Sequence, residues 1–316
     1  MSIAVIGNGA FGTALALALT SPACPVTLWG RDAEDIAEMK GARRTGKRLA
    51  GFDLPAGLHP TADLGDIHEP IVLLALPTQK LGAFLEDEGH RLRGRRLVAC
   101  CKGIDRASGL TPTGLIARHV ENAQAMILTG PSFAVDIAAH LPTALVLAGQ
   151  GDGLAGVQTA LTRHTLRIYA THDVVGAEMG GALKNVMALA SGMAIGAGLG
   201  ESARASIIAR GFAEMTRFAA ARGAEPATLT GLSGLGDLVL TATSEKSRNY
   251  SAGLALGRGQ RLPEGTIEGV ATAAALMSDA TADDMPVTAA VHAVATGALS
   301  VQDAADRLLA RPVSKE

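Results

Sequence analysis

The most constraining feature of this chain lies near its N-terminal end, where Ile3-Ala4-Val5-Ile6 runs directly into Gly7-Asn8-Gly9-Ala10-Phe11-Gly12. A short apolar run of this kind reads as a strand buried on both faces, as in a parallel sheet. The G-x-G-x-x-G that follows reads as a tight turn opening a helix that reaches about Thr20. Gly7 permits the turn, Gly9 lets a pyrophosphate approach the backbone, and Gly12 lets helix pack on strand. The helix start then offers free N–H groups and a positive dipole end to the phosphates. With 38 glycines in the chain, Gly-rich turns are common, and placement between a strand and a helix is what makes this one specific.

The β pattern continues. Val26-Thr27-Leu28-Trp29 reads as a second strand and ends in Gly30-Arg31-Asp32. An acidic residue at this strand end would hold the ribose 2′-OH of NAD, whereas an arginine would accommodate the 2′-phosphate of NADP. Arg31 comes first, and Arg43, Arg44, Lys47 and Arg48 follow, so NADP is favoured. The competing reading is a solvated turn in which Asp32 caps the next helix. Further strands are expected at Ile71–Leu76, closed by Pro77, at Arg96–Cys101, at Ala125–Thr129, at Thr143–Leu147 and at Thr165–Tyr169. Ligands of open α/β sheets sit beyond the carboxyl ends of strands. Lys102-Gly103 and Gly130-Pro131-Ser132-Phe133-Ala134 fall at two such ends.

After Asp173 the β signal stops, and helices with Gly-rich loops continue to Arg311. The 316 residues are too many for one ordinary domain. The expected fold is therefore an α/β domain over residues 1–172 followed by an all-α domain over residues 173–316. The second part centres on an Ala/Gly-rich run from Val174 to Gly200 containing Gly180-Gly181-Ala182-Leu183-Lys184-Asn185. Glycine in a helix costs on the order of 1 kcal/mol relative to alanine, so an adjacent pair needs a reason. Gly180 and Gly181 share a helical face with Lys184. Either they leave bare backbone and room for a planar ligand beside an acid/base lysine, or they allow close helix packing beside a snorkelling one. Arg204 to Arg222 carries core-facing apolar positions. Gly231 to Leu238 reads as a tight loop delivering Asp237. Ser247-Arg248-Asn249 precedes another helix and offers either a helix cap or an arginine fork for phosphate. Glu268-Gly269 opens a later helix.

Composition narrows the classes. The formal net charge is −2 and aromatics make up 3%, which argues against nucleic acid and against a stacking platform for single strands. Cys24, Cys100 and Cys101 have neither metal-ligand spacing nor a disulfide framework, so no metal is expected and a reducing compartment is. No leader pattern and no membrane span are read, and a cytoplasmic location is expected. None of the eight histidines falls in these motifs.

Taken together and in order, these motifs resemble the bacterial-type NAD(P)-dependent glycerol-3-phosphate dehydrogenase family over nearly the whole chain. The resemblance rests on the N-terminal glycine motif, Trp29-Gly30-Arg31-Asp32, Lys102-Gly103, Gly130 to Ala134, Gly180 to Asn185, Gly234-Leu235-Gly236-Asp237-Leu238 and Ser247-Arg248-Asn249. It implies an N-terminal Rossmann-type domain, a helical C-terminal domain and a homodimer. It implies Lys184 as proton acceptor at the substrate hydroxyl, with Lys102, Gly130, Ser132, Asp237, Ser247, Arg248 and Asn249 lining a site for a small phosphorylated substrate. It implies that Ala10, Phe11, Arg31, Lys102, Ala134, Arg248 and Glu268 touch the dinucleotide, NADP or NAD. The cellular role implied is supply of glycerol 3-phosphate for phospholipid synthesis. The chain departs from the family pattern at Cys101, where Ser or Thr is usual, and at Leu49-Ala50-Gly51, where Leu-Pro-Gly is expected. The competing readings are a two-domain dehydrogenase acting on a β-hydroxy acid or ketopantoate, a non-catalytic NADP sensor, and a helical scaffold with coincidental motifs.

Overall fold

The computed structural model describes residues 2–277 and 284–311. Strands β1 (Ile3–Ile6), β2 (Val26–Trp29), β3 (Leu58–Thr61), β4 (Ile71–Leu74), β5 (Arg96–Ala99), β6 (Gln124–Thr129), β7 (Thr143–Gly149) and β8 (Leu166–Thr171) form one sheet. Their order is β3-β2-β1-β4-β5-β6-β7-β8. The first six strands in that order run parallel, β7 runs antiparallel to β6, and β8 runs parallel to β7. This is a Rossmann-type order with a strand-order reversal between β1 and β4. Both faces are covered, which is why the strands read as unbroken apolar runs. Along β1, Ile3 and Val5 enter one apolar layer while Ala4 and Ile6 enter the other. Cys100 and Cys101 divide between the same two layers.

Helices α1 (Ala10–Leu19), α2 (Ala33–Ala42), α3 (Thr78–Glu88), α4 (Pro112–His119), α5 (Ala134–Ala138) and α6 (Gly153–Leu161) accompany the strands. Beyond β8 the described residues are helical: α7 (Val174–Gly196), α8 (Glu201–Ala220), α9 (Pro226–Thr230), α10 (Asp237–Ala242), α11 (Arg248–Gly257), α12 (Glu268–Leu276), α13 (Pro286–Ala295) and α14 (Val301–Leu309). Helix α7 is the axis of this half and is buried almost throughout, Lys184 and Asn185 included. Its glycines are packing surfaces. A β-carbon on Gly192 or Gly196 would overlap the Tyr250 or Leu254 carbonyl of α11, and one on Gly253 or Gly257 would overlap the Leu189 or Met193 carbonyl of α7. The two backbones meet directly, as small residues allow.

Several sequence expectations need correction. Strand β4 ends at Leu74 rather than Leu76 and β5 at Ala99 rather than Cys101. The ladder stops where the central partner β1 stops, at Ile6. Strand β8 runs to Thr171 rather than Tyr169. Strand β3 was invisible because Leu58-His59-Pro60-Thr61 is short and carries a proline, which an edge strand tolerates. Helix α7 ends at Gly196, before Gly198 and Gly200 take positive φ. The expected loop before Asp237 is a π-helical turn, Leu232–Gly236, running into α10.

Candidate functional site

The carboxyl ends of β1 and β4 form the first part of the site. Gly7 has φ +116°, and a β-carbon there would lie 2.5 Å from the Ala75 carbonyl oxygen. A β-carbon on Gly12 would overlap the Gly7 carbonyl, whereas one on Gly9 would meet nothing within 4 Å. The loop is thus packed on two glycines and open at the third, as close approach of a pyrophosphate requires. Gly9 is also the N-cap of α1, so no capping side chain occupies its first-turn N–H groups. Ala10 and Phe11 begin that helix and are half-buried. The Asn8 amide donates to Asp35 Oδ2 at 2.6 Å and ties the loop to α2.

Beyond β2, Asp32 Oδ1 accepts from the Glu34 and Asp35 N–H groups at 3.1 and 3.2 Å. Asp32 therefore caps α2, and exposed Arg31 is left to face solvent at the strand end. The supporting cations are partly engaged elsewhere. The Arg43 guanidinium donates to the Leu54, Pro55 and Leu58 carbonyls, and Arg44 pairs with Asp53.

The second part joins the sheet to the helical half. Asp237, the first residue of α10, accepts from Lys102 Nζ at 2.5 Å and from Lys184 Nζ at 3.0 Å. Lys102 also donates to the Gly130 carbonyl at 3.0 Å, and Lys184 to Thr241 Oγ1 at 2.8 Å. The backbone at Gly130 has φ +127°, which turns that carbonyl at the end of β6. One carboxylate therefore brings together a lysine from the loop after β5 and one from α7. Each ammonium has three donors, and two of them are engaged here. Burial pushes Lys184 down to about 8; Asp237 opposes the push and Lys102 adds to it. Burial alone would raise the Asp237 carboxyl, but the Lys102 and Lys184 ammoniums outweigh it and hold it below the usual carboxylate range.

Gly180 and Gly181 do not leave open backbone beside Lys184. A β-carbon on Gly180 would lie 2.6 Å from the Ser233 carbonyl oxygen, and one on Gly181 would lie 2.8 Å from Thr129 Oγ1 and 3.4 Å from the Lys102 side chain. The pair lets the π-helical turn and the Lys102 stem close on α7. This is the close-packing alternative, and it serves the lysine by bringing its partners in.

The third part is the start of α11. Ser247 caps it, its hydroxyl accepting from the Tyr250 N–H at 3.3 Å. Arg248 is exposed at the first helical position. The Asn249 amide, expected to line the phosphate site, also has partners within the fold. It donates to Asn185 Oδ1 at 2.9 Å and accepts from the Gly269 N–H at 2.9 Å, joining α11 to α7 and α12. Ser132 donates to the Gly130 carbonyl at 3.2 Å, and Ala134 opens α5. Glu268 Oε2 lies 2.7 Å from where a β-carbon of Gly103 would be. Burial raises the Glu268 carboxyl to about 7, against the Thr78 N–H and the Arg248 charge.

Sequence reasoning missed Thr241, Asn185 and Glu178. Thr241 stands four residues after Asp237 on one helix, a spacing that places both on one face. Glu178, buried on α7, accepts from the Thr113 N–H at 2.8 Å and ties α7 to α4. No sequence signal pairs those two residues.

Residues 2–155 match the family model described as NAD-dependent glycerol-3-phosphate dehydrogenase N-terminus, and residues 173–306 match the corresponding C-terminus. The glycerol-3-phosphate dehydrogenase [NAD(P)+] of Paracoccus denitrificans is 52% identical over 322 residues, covering all of both chains. The chain belongs to this family. Its members are NAD(P)-dependent oxidoreductases. The protein of the same name from Roseobacter denitrificans is 50% identical over 321 residues, again covering both chains completely. The crystal structure of glycerol-3-phosphate dehydrogenase from Coxiella burnetii superposes with a TM-score of 0.90 at 33% identity, covering 98% of this chain and 99% of that one.

Proposed function

We propose that this chain interconverts dihydroxyacetone phosphate and sn-glycerol 3-phosphate by reversible hydride transfer at C2, with NAD(P) as cofactor. The carrying observation is Asp237 bridging Lys102 and Lys184 at the carboxyl edge of a Rossmann-type sheet. The open Gly9 and the uncapped start of α1 suit a dinucleotide pyrophosphate. The cofactor, when bound, supplies or accepts the hydride. Exposed Arg31, with Asp32 engaged as a cap, favours NADP over NAD.

Lys184 is the acid and base. As an ammonium it protonates the oxygen that becomes alkoxide-like when the carbonyl is reduced; as a free amine it removes the hydroxyl proton in the reverse direction. Burial among apolar residues of α7 makes both forms accessible near neutral pH. Asp237 orients the Lys184 ammonium and neutralises one of the two positive charges, while Lys102 adds a charged donor beside the reacting oxygen. Arg248 and the α11 N-terminus hold the substrate phosphate. In this role Ser247 acts through the cap and Asn249 through its bonds to Asn185 and Gly269, and Gly130 and Ser132 line the opposite wall. Lys102, Ala10, Phe11, Ala134, Arg248 and Glu268 contact the dinucleotide.

We assign the cofactor to residues 1–172 and most of the substrate contacts to residues 173–316. The protein is a cytoplasmic homodimer in this reading and supplies glycerol 3-phosphate for phospholipid synthesis. Among the described residues no helix is long and apolar enough to cross a membrane. Oxidation of NADPH followed at the reduced-nicotinamide band, with dihydroxyacetone phosphate present or absent, tests the reaction. Substrate-dependent oxidation supports it. Binding of NADPH without turnover of this substrate sinks it and directs attention to phosphate-free oxo acids.

A further inference from the structure

The segment before α11 makes one contact that the proposed chemistry does not use. Lys246 Nζ pairs with Asp136 Oδ1 at 3.2 Å and lies 5.6 Å from the centre of the Phe133 ring. Asp136 and Phe133 belong to α5 and the residue before it, the wall that also carries Gly130 and Ser132. Lys246 directly precedes Ser247 and Arg248, the opposite wall. The pair thus joins the segment after β6 to the segment before α11, 110 residues apart in the chain. The Lys246 side chain is 57% exposed and that of Asp136 31%, so the pair adds little to stability. It does place an exposed cation two residues before Arg248, beside a carboxylate that competes for it.

We propose that Lys246 and Asp136 set the affinity of this site for the phosphate end of the substrate, Lys246 attracting the dianion and Asp136 holding the lysine back. This deepens the functional reading above and rests on it for the identity of the substrate. The effect is one of charge at an exposed edge, so it acts on binding and fades with salt.

The test compares wild type, Lys246→Gln, Lys246→Arg and Asp136→Asn in KM and kcat for dihydroxyacetone phosphate at low and high ionic strength. Calorimetric binding of inorganic phosphate to the same proteins is measured in parallel. Loss of one unit charge beside the proposed phosphate site predicts KM up about fivefold in Lys246→Gln at low salt, with kcat retained. Lys246→Arg restores the wild-type value, and Asp136→Asn lowers KM. Inorganic phosphate affinity moves the same way. Unchanged KM and phosphate affinity in Lys246→Gln would overturn the proposal. So would Asp136→Asn weakening binding as Lys246→Gln does, because the pair would then be a strap that must stay intact. If wild type does not turn over dihydroxyacetone phosphate while Lys246→Gln still weakens inorganic phosphate, the substrate reading falls and the charge assignment stands.

Discussion

The glycine loop after β1 and the lysine centre under α10 solve opposite problems. In the loop the groups offered to a ligand are backbone N–H groups, and no side chain caps them. Gly9 faces open space, and only Gly7 and Gly12 are packed. In the lysine centre the reactive groups are side chains, and each is held by another: Asp237 by two ammoniums, Lys184 by Asp237 and Thr241, Lys102 by Asp237 and Gly130. Anion binding by backbone needs room and local geometry only. Proton transfer needs a lysine taken out of water, and a buried charge must be paired to be tolerated.

The sharpest way to break this contrast is Lys184→Ala. Removing the acid/base group should lower kcat about a thousandfold with the fold intact, read by turnover alongside circular dichroism. Turnover within a few-fold of wild type would remove the lysine from the chemistry. Next in size is Gly192→Ala, whose β-carbon overlaps the Tyr250 carbonyl. Parting α7 from α11 should cost about 1–3 kcal/mol or more, seen as a lowered midpoint in urea. Gly9→Ala is its counterpart: it should leave the midpoint unchanged yet weaken cofactor binding about tenfold, through lost hydrogen bonds to the phosphates. Equal effects of the two substitutions on stability would erase the distinction between an open and a packed glycine.

The pH dependence sharpens the lysine half. Lys184 lies near 8 rather than at the ordinary lysine value of about 10.4. In the proposed mechanism reduction uses its ammonium, so kcat should hold below pH 8 and fall above it. Oxidation uses its free amine, so kcat should rise about tenfold between pH 7 and pH 9, as the amine fraction does. A flat oxidative profile through this range would place the titrating group elsewhere. The smallest expected effect is at the cofactor edge. Arg31→Ala should reduce the preference for NADPH over NADH about tenfold or less, since the arginine is exposed, and the ratio of the two kcat/KM values measures it.

The same contrast explains what could be read in advance. The apolar runs of β1, β2, β4, β5 and β6, the turn glycines and the end of the β signal are local patterns, and the α/β class of the first part follows from them. The edge strand β3 escaped because its four residues carry little pattern. In the helical half, Asp237 and Lys184 were singled out, but the choice between open backbone and close packing at Gly180 and Gly181 needed the partners that only the fold brings in. Asn249 was read as lining the phosphate site, and only the fold shows its amide also joining Asn185 and Gly269.

What the sequence determined by itself is the set of local commitments: which segments form strands, where glycine must stand, and which residue types wait beyond the strands. Tertiary structure alone decided which groups share a proton or a charge. Lys102 and Asp237 are 135 residues apart, and Lys184 and Asp237 are 53 apart. Their contact goes with the π-helical turn closing over Gly180 and the Lys102 stem packing against Gly181. Such pairings are fixed by packing between distant elements, and no short-range periodicity encodes them.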